Sequence, residues 1–469
     1  MKFWAIVIAI LILLVMITVH EFGHYLAGKI FKFKINEFSI GMGPALIKKK
    51  KKNGEIFSVR LLPLGGYCAF EGEDEDKKEV ENAFNSKKPW QRIIVLISGA
   101  FMNFLLALLV IIIMFSCYGE TSYSAYEVKP DSAYTYVLSD DDVILELNGK
   151  RIMLTTDFVK SLNGKKKGDV VKAKVLRSGK KQTIKVEMRE NVNCKDVTDV
   201  STVCKALGIA TIAKISTKDA VYDASGSGFM DGDLLLKLKD FDGDYSQEKY
   251  NLSQRLYGKN ELIGALREKN GKISVYVSND KRSSKDSVNP TDKVKRYELN
   301  LDVSSLWNSK SNEEITDQEI LSALKIDSVD AYFRVTTVKY KGKFFTALGD
   351  SFVYSGKIGG VIFTTLGQLL TGKLGIKSVG GPVTTVVTTS KIVRMGLEYI
   401  LQIVAFIGVN LAVFNLLPIP ALDGSRVIFT LIEWIFKKPV PKKIEGIIHA
   451  VGLLLLLGFS ILVDVLQFL

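Results

Sequence analysis

A chain of 469 residues is long enough for several domains, and 47% hydrophobic with 24% charged residues suits membrane spans joined to sizeable aqueous parts. The net charge of +13 does not mark a nucleic-acid partner, because the lysines are spread out, many flank apolar runs, and no nucleic-acid-binding motif accompanies them.

Phe3 to Leu26 reads as a first membrane span. Lys2 is its only leading charge and no small-residue cleavage site follows, which disfavours a signal peptide. The apolar run ends in His20-Glu21-Phe22-Gly23-His24, an H-E-x-x-H motif. Residues four apart share one helix face, so both imidazoles can reach one zinc ion, with Glu21 beside them to take a proton from water activated there. The chain has 3 His, and two fall at this spacing. Burying such groups near a membrane costs several kcal/mol unless something coordinates or pairs them, which sets zinc above an accidental motif.

Phe38 to Glu71 reads as short strands with turns. Phe57 to Leu61 alternates, and Gly41, Gly43, Gly54, Gly65 and Gly66 punctuate. A β-hairpin dipping toward the site suits this composition; an ordinary soluble hairpin is the plain reading. The acidic run Glu71 to Asp76 reads as a solvated loop. Ile93 to Phe115 is a second span without internal charge.

Tyr126 to about Ile212 predicts a small β-rich domain. Asp142 to Leu147 is a strand leading into an Asn148-Gly149 turn, and Val170–Leu176 and Thr183–Met188 alternate like further strands. A second such domain starts near Val221, where Gly232 to Leu238 repeats the pattern weakly. Asp240 to Asp244 faintly suggests a calcium loop but lacks the ligand spacing and reads as a turn. Ser283 to Asn312 is a polar loop or insertion. Cys194 and Cys204 leave two readings open, a disulfide or two free thiols.

Phe344 to Leu370 mixes apolar residues with Gly, Thr and Lys, which suits a helix on the outer membrane surface; a fifth span is the competing reading. The third span runs from about Tyr399 to Leu417 and the fourth from about Ile447 to Leu462. Lys29, Lys32, Lys34, Lys48 to Lys52, Lys87, Lys88, Arg92, Lys437, Lys438, Lys442 and Lys443 all fall on one side of these spans, which marks that side as cytoplasmic. Both termini and the long segment from Cys117 to about Arg394 then lie outside, and the H-E-x-x-H motif near the cytoplasmic end of its span.

Two His leave a zinc site short of a protein ligand. The candidate is Asp423, in Asn415-Leu-Leu-Pro-Ile-Pro-Ala-Leu-Asp-Gly424. Pro418 and Pro420 prevent a regular helix there, and irregular backbone at membrane depth is tolerated where it lines a protein cavity. The bland alternative is a loop Asp at the interface. His449 is open to two readings, a fourth ligand or a structural histidine.

His20 to His24, Leu61-Leu-Pro-Leu-Gly-Gly-Tyr67 and Asn415 to Gly424 together resemble the site-2 protease family of intramembrane zinc metalloproteases, most closely the bacterial regulator-of-sigma-E type with PDZ domains. Gly99-Ala-Phe-Met-Asn103, Ser378 to Val383 and Glu445 to His449 resemble further family segments, although Ala100 stands where a proline is common. The resemblance implies zinc held by His20, His24 and Asp423, with Glu21 as general base. It implies substrate positioning by Asn415, Asn103, Gly65 and Gly66. It also implies a membrane protein of about four transmembrane helices, with a cytoplasmic-side β-hairpin region and two extracytoplasmic PDZ-like β-rich domains. The expected division is 1–26, first span; 27–91, loop and hairpin; 92–116, second span; 117–214 and 215–342, PDZ-like domains; 343–395, surface segment; 396–424, third span; 425–445, loop; 446–469, fourth span.

The PDZ pattern departs at Asp131-Ser-Ala133, which lacks the usual glycine and proline, and at Ser139 to Asp142. Peptide binding or size filtering by these domains stays open. The implied function is cleavage of transmembrane segments of single-span proteins in the bilayer of a bacterial cytoplasmic membrane, after an upstream site-1-type protease has cut. Anti-sigma factors and remnant signal peptides are the substrates it suggests. The rival is a non-catalytic membrane scaffold binding extracytoplasmic tails through PDZ domains.

Overall fold

The computed structural model describes residues 2–73, 81–125, 137–139, 142–194, 199–209, 212–217, 228–239, 259–279, 282, 287–288, 296–308, 310–332, 334–338, 344–372 and 379–468. Asp131–Ala133, Asp240–Asp244, the stretch around Val221 and most of 283–295 lie outside the described residues. The chain divides into two compact units, 1–119 with 339–469, and 120–338.

The first unit opens with helix α1 (Lys2–Ile30), strands β1 (Ile35–Lys50) and β2 (Ile56–Phe70), and helix α2 (Pro89–Cys117). Both helices outrun their apolar cores. Pro89 is pre-set for the first turn of α2, and Ala27 to Ile30 continue α1 by four residues beyond the expected span. The two helices cross on glycine. A Cβ at Gly23 would lie 2.9 Å from Gly99 Cα and onto the Ser98 carbonyl, so only hydrogen fits.

β1 and β2 pair antiparallel from Ile35–Phe70 to Ile40–Gly66, and again from Ala45–Arg60 to Lys50–Ile56. Residues 37–40 of β1 also lie beside 56–59 of β2, so the two long strands double back into a curled ribbon. Its far end is tied to α1 through Glu55, which is buried and ion-paired with Lys29 and with Lys51 (2.8 Å). Burial opposes ionisation of Glu55, but hydrogen bonds from Lys29, Lys51, Tyr25 and Asn53 win and bring its carboxyl from the ordinary 4.5 down to about 2. Arg60 bonds the Glu37 carboxylate at 2.7 Å and the Tyr67 hydroxyl at 2.5 Å, bracing the ribbon's middle.

The second unit contains β3 (Glu120–Ser124), β4 (Val143–Leu147), β5 (Lys150–Arg151), α3 (Thr155–Leu162), β6 (Val170–Arg177), β7 (Lys180–Glu187), α4 (Val200–Leu207), β8 (Ile212–Ser216) and β9 (Leu234–Leu238). It continues with α5 (Lys259–Glu268), β10 (Lys272–Ser278), β11 (Tyr297–Asp302), α6 (Asp317–Ala323), β12 (Ser328–Tyr332) and β13 (Arg334–Val338). One sheet has the order β13-β3-β4-β6-β7, with β5 on β4; the other runs β11-β10-β9-β8-β12. Each covers its own apolar core, one around Ile144, Leu147 and Phe158, the other around Leu235, Val275 and Leu299. The second sheet is nested inside the first, because β13 returns to pair with β3. Cys194 and Cys204 are both buried, and neither is in a disulfide in this structure.

The weak internal repeat has a physical counterpart. Asp142 and Asp233 are each fully buried just before a strand. Asp142 takes both its oxygens to Arg177 at 2.7 Å and accepts from the Ser139 amide. Asp233 is bonded by Arg282 (2.5 and 2.9 Å), Asn279 and the Met230 amide. A buried carboxylate is retained because a guanidinium and a backbone donor replace its water.

The first unit resumes with α7 (Phe344–Leu370), α8 (Pro382–Val393), α9 (Leu397–Leu416), α10 (Asp423–Phe436) and α11 (Lys442–Phe468). Among the described residues, α1, α2, α9 and α11 are long and apolar enough to cross a membrane, the four spans expected. Segment 343–395 contains two helices, and α7 packs on α2 and α9. The amino end of α8 is held by Asp464 of α11, which accepts from the Val383 and Thr384 amides at 3.0 Å. Arg92 of α2, itself buried, pairs with Glu433 of α10 at 2.6 Å.

Two outcomes are expected. Asp233→Ala strands Arg282, which is 3% exposed, and destabilises the second unit by about 3–5 kcal/mol. Asp142→Ala costs less, because Arg177 is 35% exposed and regains water. Urea titration of the solubilised chain, followed by proteolysis, ranks the two. Because Glu55 is depressed to about 2, its contribution is complete above the unfolded value near 4.5 and is lost as pH falls through about 2. As pH falls between those values, protease release of the ribbon should therefore rise in wild type, and rise less steeply in Glu55→Gln.

Candidate metal centre

α1 carries His20 and His24 one turn apart, and both are buried. Asp423 opens α10 directly after the proline-broken end of α9. Gly424 next to it lies so close to Leu416 and Leu417 backbone atoms that a Cβ would collide with their carbonyls, so glycine lets α10 start against the end of α9. Asp423 Oδ2 then lies 2.9 Å from His20 Nε2 and 3.3 Å from His24 Nε2, and the two Nε2 atoms are 3.1 Å apart. Among the described residues these three form a group able to hold a metal ion, each offering one ligand atom within 4.8 Å of the others. His449 is not in that group.

The neighbours fit a metal. His24 Nδ1 lies 2.8 Å from the Val95 carbonyl, which only accepts, so Nδ1 carries the proton and Nε2 keeps its lone pair. His20 Nδ1 faces the amides of Asn103 (3.4 Å) and Asn415 (3.5 Å). Asn103 is fully buried, and its Oδ1 has no partner among the described residues. Turning that amide about its Cβ–Cγ bond sets Oδ1 against His20 Nδ1–H and leaves Nε2 free for zinc, which satisfies the orphaned oxygen. A Cβ at Gly99 would sit 2.7 Å from His20 Cε1 and collide with His24 Nε2, so glycine makes room for both rings. Two imidazoles and a carboxylate are a donor set that zinc uses in catalytic sites.

Glu21 is half-buried and points toward β2: a Cβ on Gly66 would lie 3.5 Å from Glu21 Cγ. Gly65 turns the strand with φ +84° against Met42. Sequence reasoning did not find the Val95 carbonyl, because a backbone acceptor leaves no side-chain signal.

An H-E-x-x-H motif whose histidines could hold a metal, carried on a helix long and apolar enough to cross a membrane, points to the class of membrane metalloproteases. The family model for peptidase family M50 matches residues 8–459, and the chain belongs to that family. It is 26% identical to the regulator of sigma E protease of Haemophilus influenzae, over 98% of this chain and 97% of that protein. Relatives from Fusobacterium nucleatum (27% identical, 98% and 96% covered) and Thermotoga maritima (28%, 96% and 96%) bear names that propose a zinc metalloprotease. The protein is thus a zinc metalloprotease of the site-2 protease type.

Asp423→Ala is expected to lower the zinc bound per chain well below that of wild type, whereas Asn103→Leu leaves the ligands in place and weakens affinity by about 10–100-fold. Metal analysis under chelator competition checks both; unchanged stoichiometry in Asp423→Ala removes it from the ligand set.

Proposed function

We propose an endopeptidase that cuts transmembrane segments of single-span proteins after an upstream protease has shortened them outside the membrane. The observation that carries this reading is the placement of the candidate ligands. His20 lies 18 residues into α1, about 27 Å along a helix, close to the far side of a hydrocarbon core of about 30 Å. The lysines after this helix give that side as cytoplasmic, with residues 120–338 and both termini outside. The two sheets of 120–338 are proposed as PDZ-like domains that read or filter the substrate's outer part.

His20, His24 and Asp423 would hold zinc, which would supply a Lewis acid for the peptide carbonyl and for activation of a water. Glu21 takes the water's proton on its carboxylate and passes it to the leaving amine nitrogen. The Asn415 amide, beside His20, donates to the peptide carbonyl and resists its drift as charge develops on oxygen. A helical substrate shields its carbonyls in i→i−4 hydrogen bonds, so it must be unwound before attack. Residues 66–70 of β2 pair with 35–40 of β1, and among the described residues their other edge has no strand partner. An extended peptide added to that edge runs past Gly66 and hence past Glu21.

Glu21→Gln should keep zinc and lose cleavage of a membrane-embedded model substrate by at least about 100-fold. Equal cleavage by Glu21→Gln and wild type, or none by a zinc-loaded wild type, overturns the proposal.

A further inference from the structure

Asp423 sits at the end of a segment that does not hold itself in place. Pro418 and Pro420 interrupt the hydrogen-bond ladder between α9 and α10, and Ala421 takes φ +76°, a left-handed conformation unfavourable for a non-glycine residue. The backbone between Leu417 and Leu422 bonds mainly to itself, through Ile419 N to Leu417 O (2.7 Å) and Leu422 N to Ile419 O (3.1 Å). The Ala421 amide, two residues before Asp423, donates instead to His449 Nδ1 of α11 at 3.0 Å. One turn further along α11, Gly452 lies under Pro420, where a Cβ would come 2.9 Å from the Pro420 carbonyl carbon.

His449 is built for one tautomer. An amide can only donate, so Nδ1 must be the acceptor and Nε2 carries the proton. Glu445, one turn earlier on α11, places a carboxylate oxygen 3.9 Å from Nε2, and the Phe429 ring meets the imidazole edge-on at 5.7 Å. The ring is therefore held on two sides while its remaining nitrogen faces the loop.

We infer that His449 is a positioning residue for the metal centre: by accepting from Ala421 N–H it locks the strained turn that delivers Asp423 to His20 and His24. The inference rests on the reading of Asp423 as a zinc ligand. A ligand on an irregular loop loses less conformational freedom on binding if the loop is already fixed. α11 thereby contributes to the zinc site without supplying a ligand.

The test uses the full-length chain in detergent with Glu21→Gln in the background, so that no result depends on proteolysis. Zinc release to a chelator is followed for the chain with His449 and for His449→Asn, His449→Gln and His449→Leu. The Asn side chain puts its oxygen where His Nδ1 sits, whereas Gln puts it near the position of Nε2. His449→Asn should retain zinc within a few-fold of the parent, while His449→Gln and His449→Leu lose it about 10–100-fold more readily, the range seen for outer partners of metal ligands. Asn and Gln are alike in polarity, so the pair discriminates even if the Leu chain folds poorly. Equal retention by all four, or equal loss by Asn and Gln, overturns the inference while leaving the metal site intact. Asp423→Ala is the control: if it retains zinc like its parent, the ligand reading fails, and this inference with it.

Discussion

Two imidazoles and a carboxylate must be taken out of water inside a bundle of apolar helices, and most of the first unit answers that demand. Each group alone is expensive among apolar helices, and the three together share one small volume in which a single cation could pair with all of them. Their approach requires absences: Gly23 and Gly99 let α1 and α2 touch, Gly99 clears both rings, and Gly424 lets α10 begin against the end of α9. Their orientation requires partners on the far side of each ring, the Val95 carbonyl for His24 and the Asn103 amide for His20. A candidate site with this shell is held in shape by packing and by these outer partners.

The same demand explains the broken backbone after α9. A regular helix would carry Asp423 past the imidazoles, so the prolines end it and a short irregular turn brings the carboxylate back. Irregular backbone among apolar helices must find its hydrogen bonds in the protein, and α11 supplies one of them. Charged side chains elsewhere in the first unit also have named partners: Arg92 meets Glu433, and Asp464 meets the amino end of α8.

Residues 120–338 form a separate compact unit with different physics. Its two sheets rest on apolar cores and on two buried aspartates, each neutralised by an arginine and a backbone amide. That pair of equivalent aspartates turns a weak resemblance between two short stretches into a repeated structural device.

The chemistry was legible in the chain because it is written locally. H-E-x-x-H places two donors on one helix face whatever surrounds them, long uncharged runs mark spans by their length alone, and an aspartate after two prolines stands out among apolar residues. Asn103, Asn415 and the Gly65–Gly66 pair were visible as motif members, but which atom each faces was not. The Val95 carbonyl, the tie between His449 and Ala421, the ion pair from Glu55 to α1 and the return of β13 to β3 join residues far apart in sequence. Periodicity and spacing report which face of an element is apolar. They do not report which distant backbone atom will meet it, because that depends on how every other element packs.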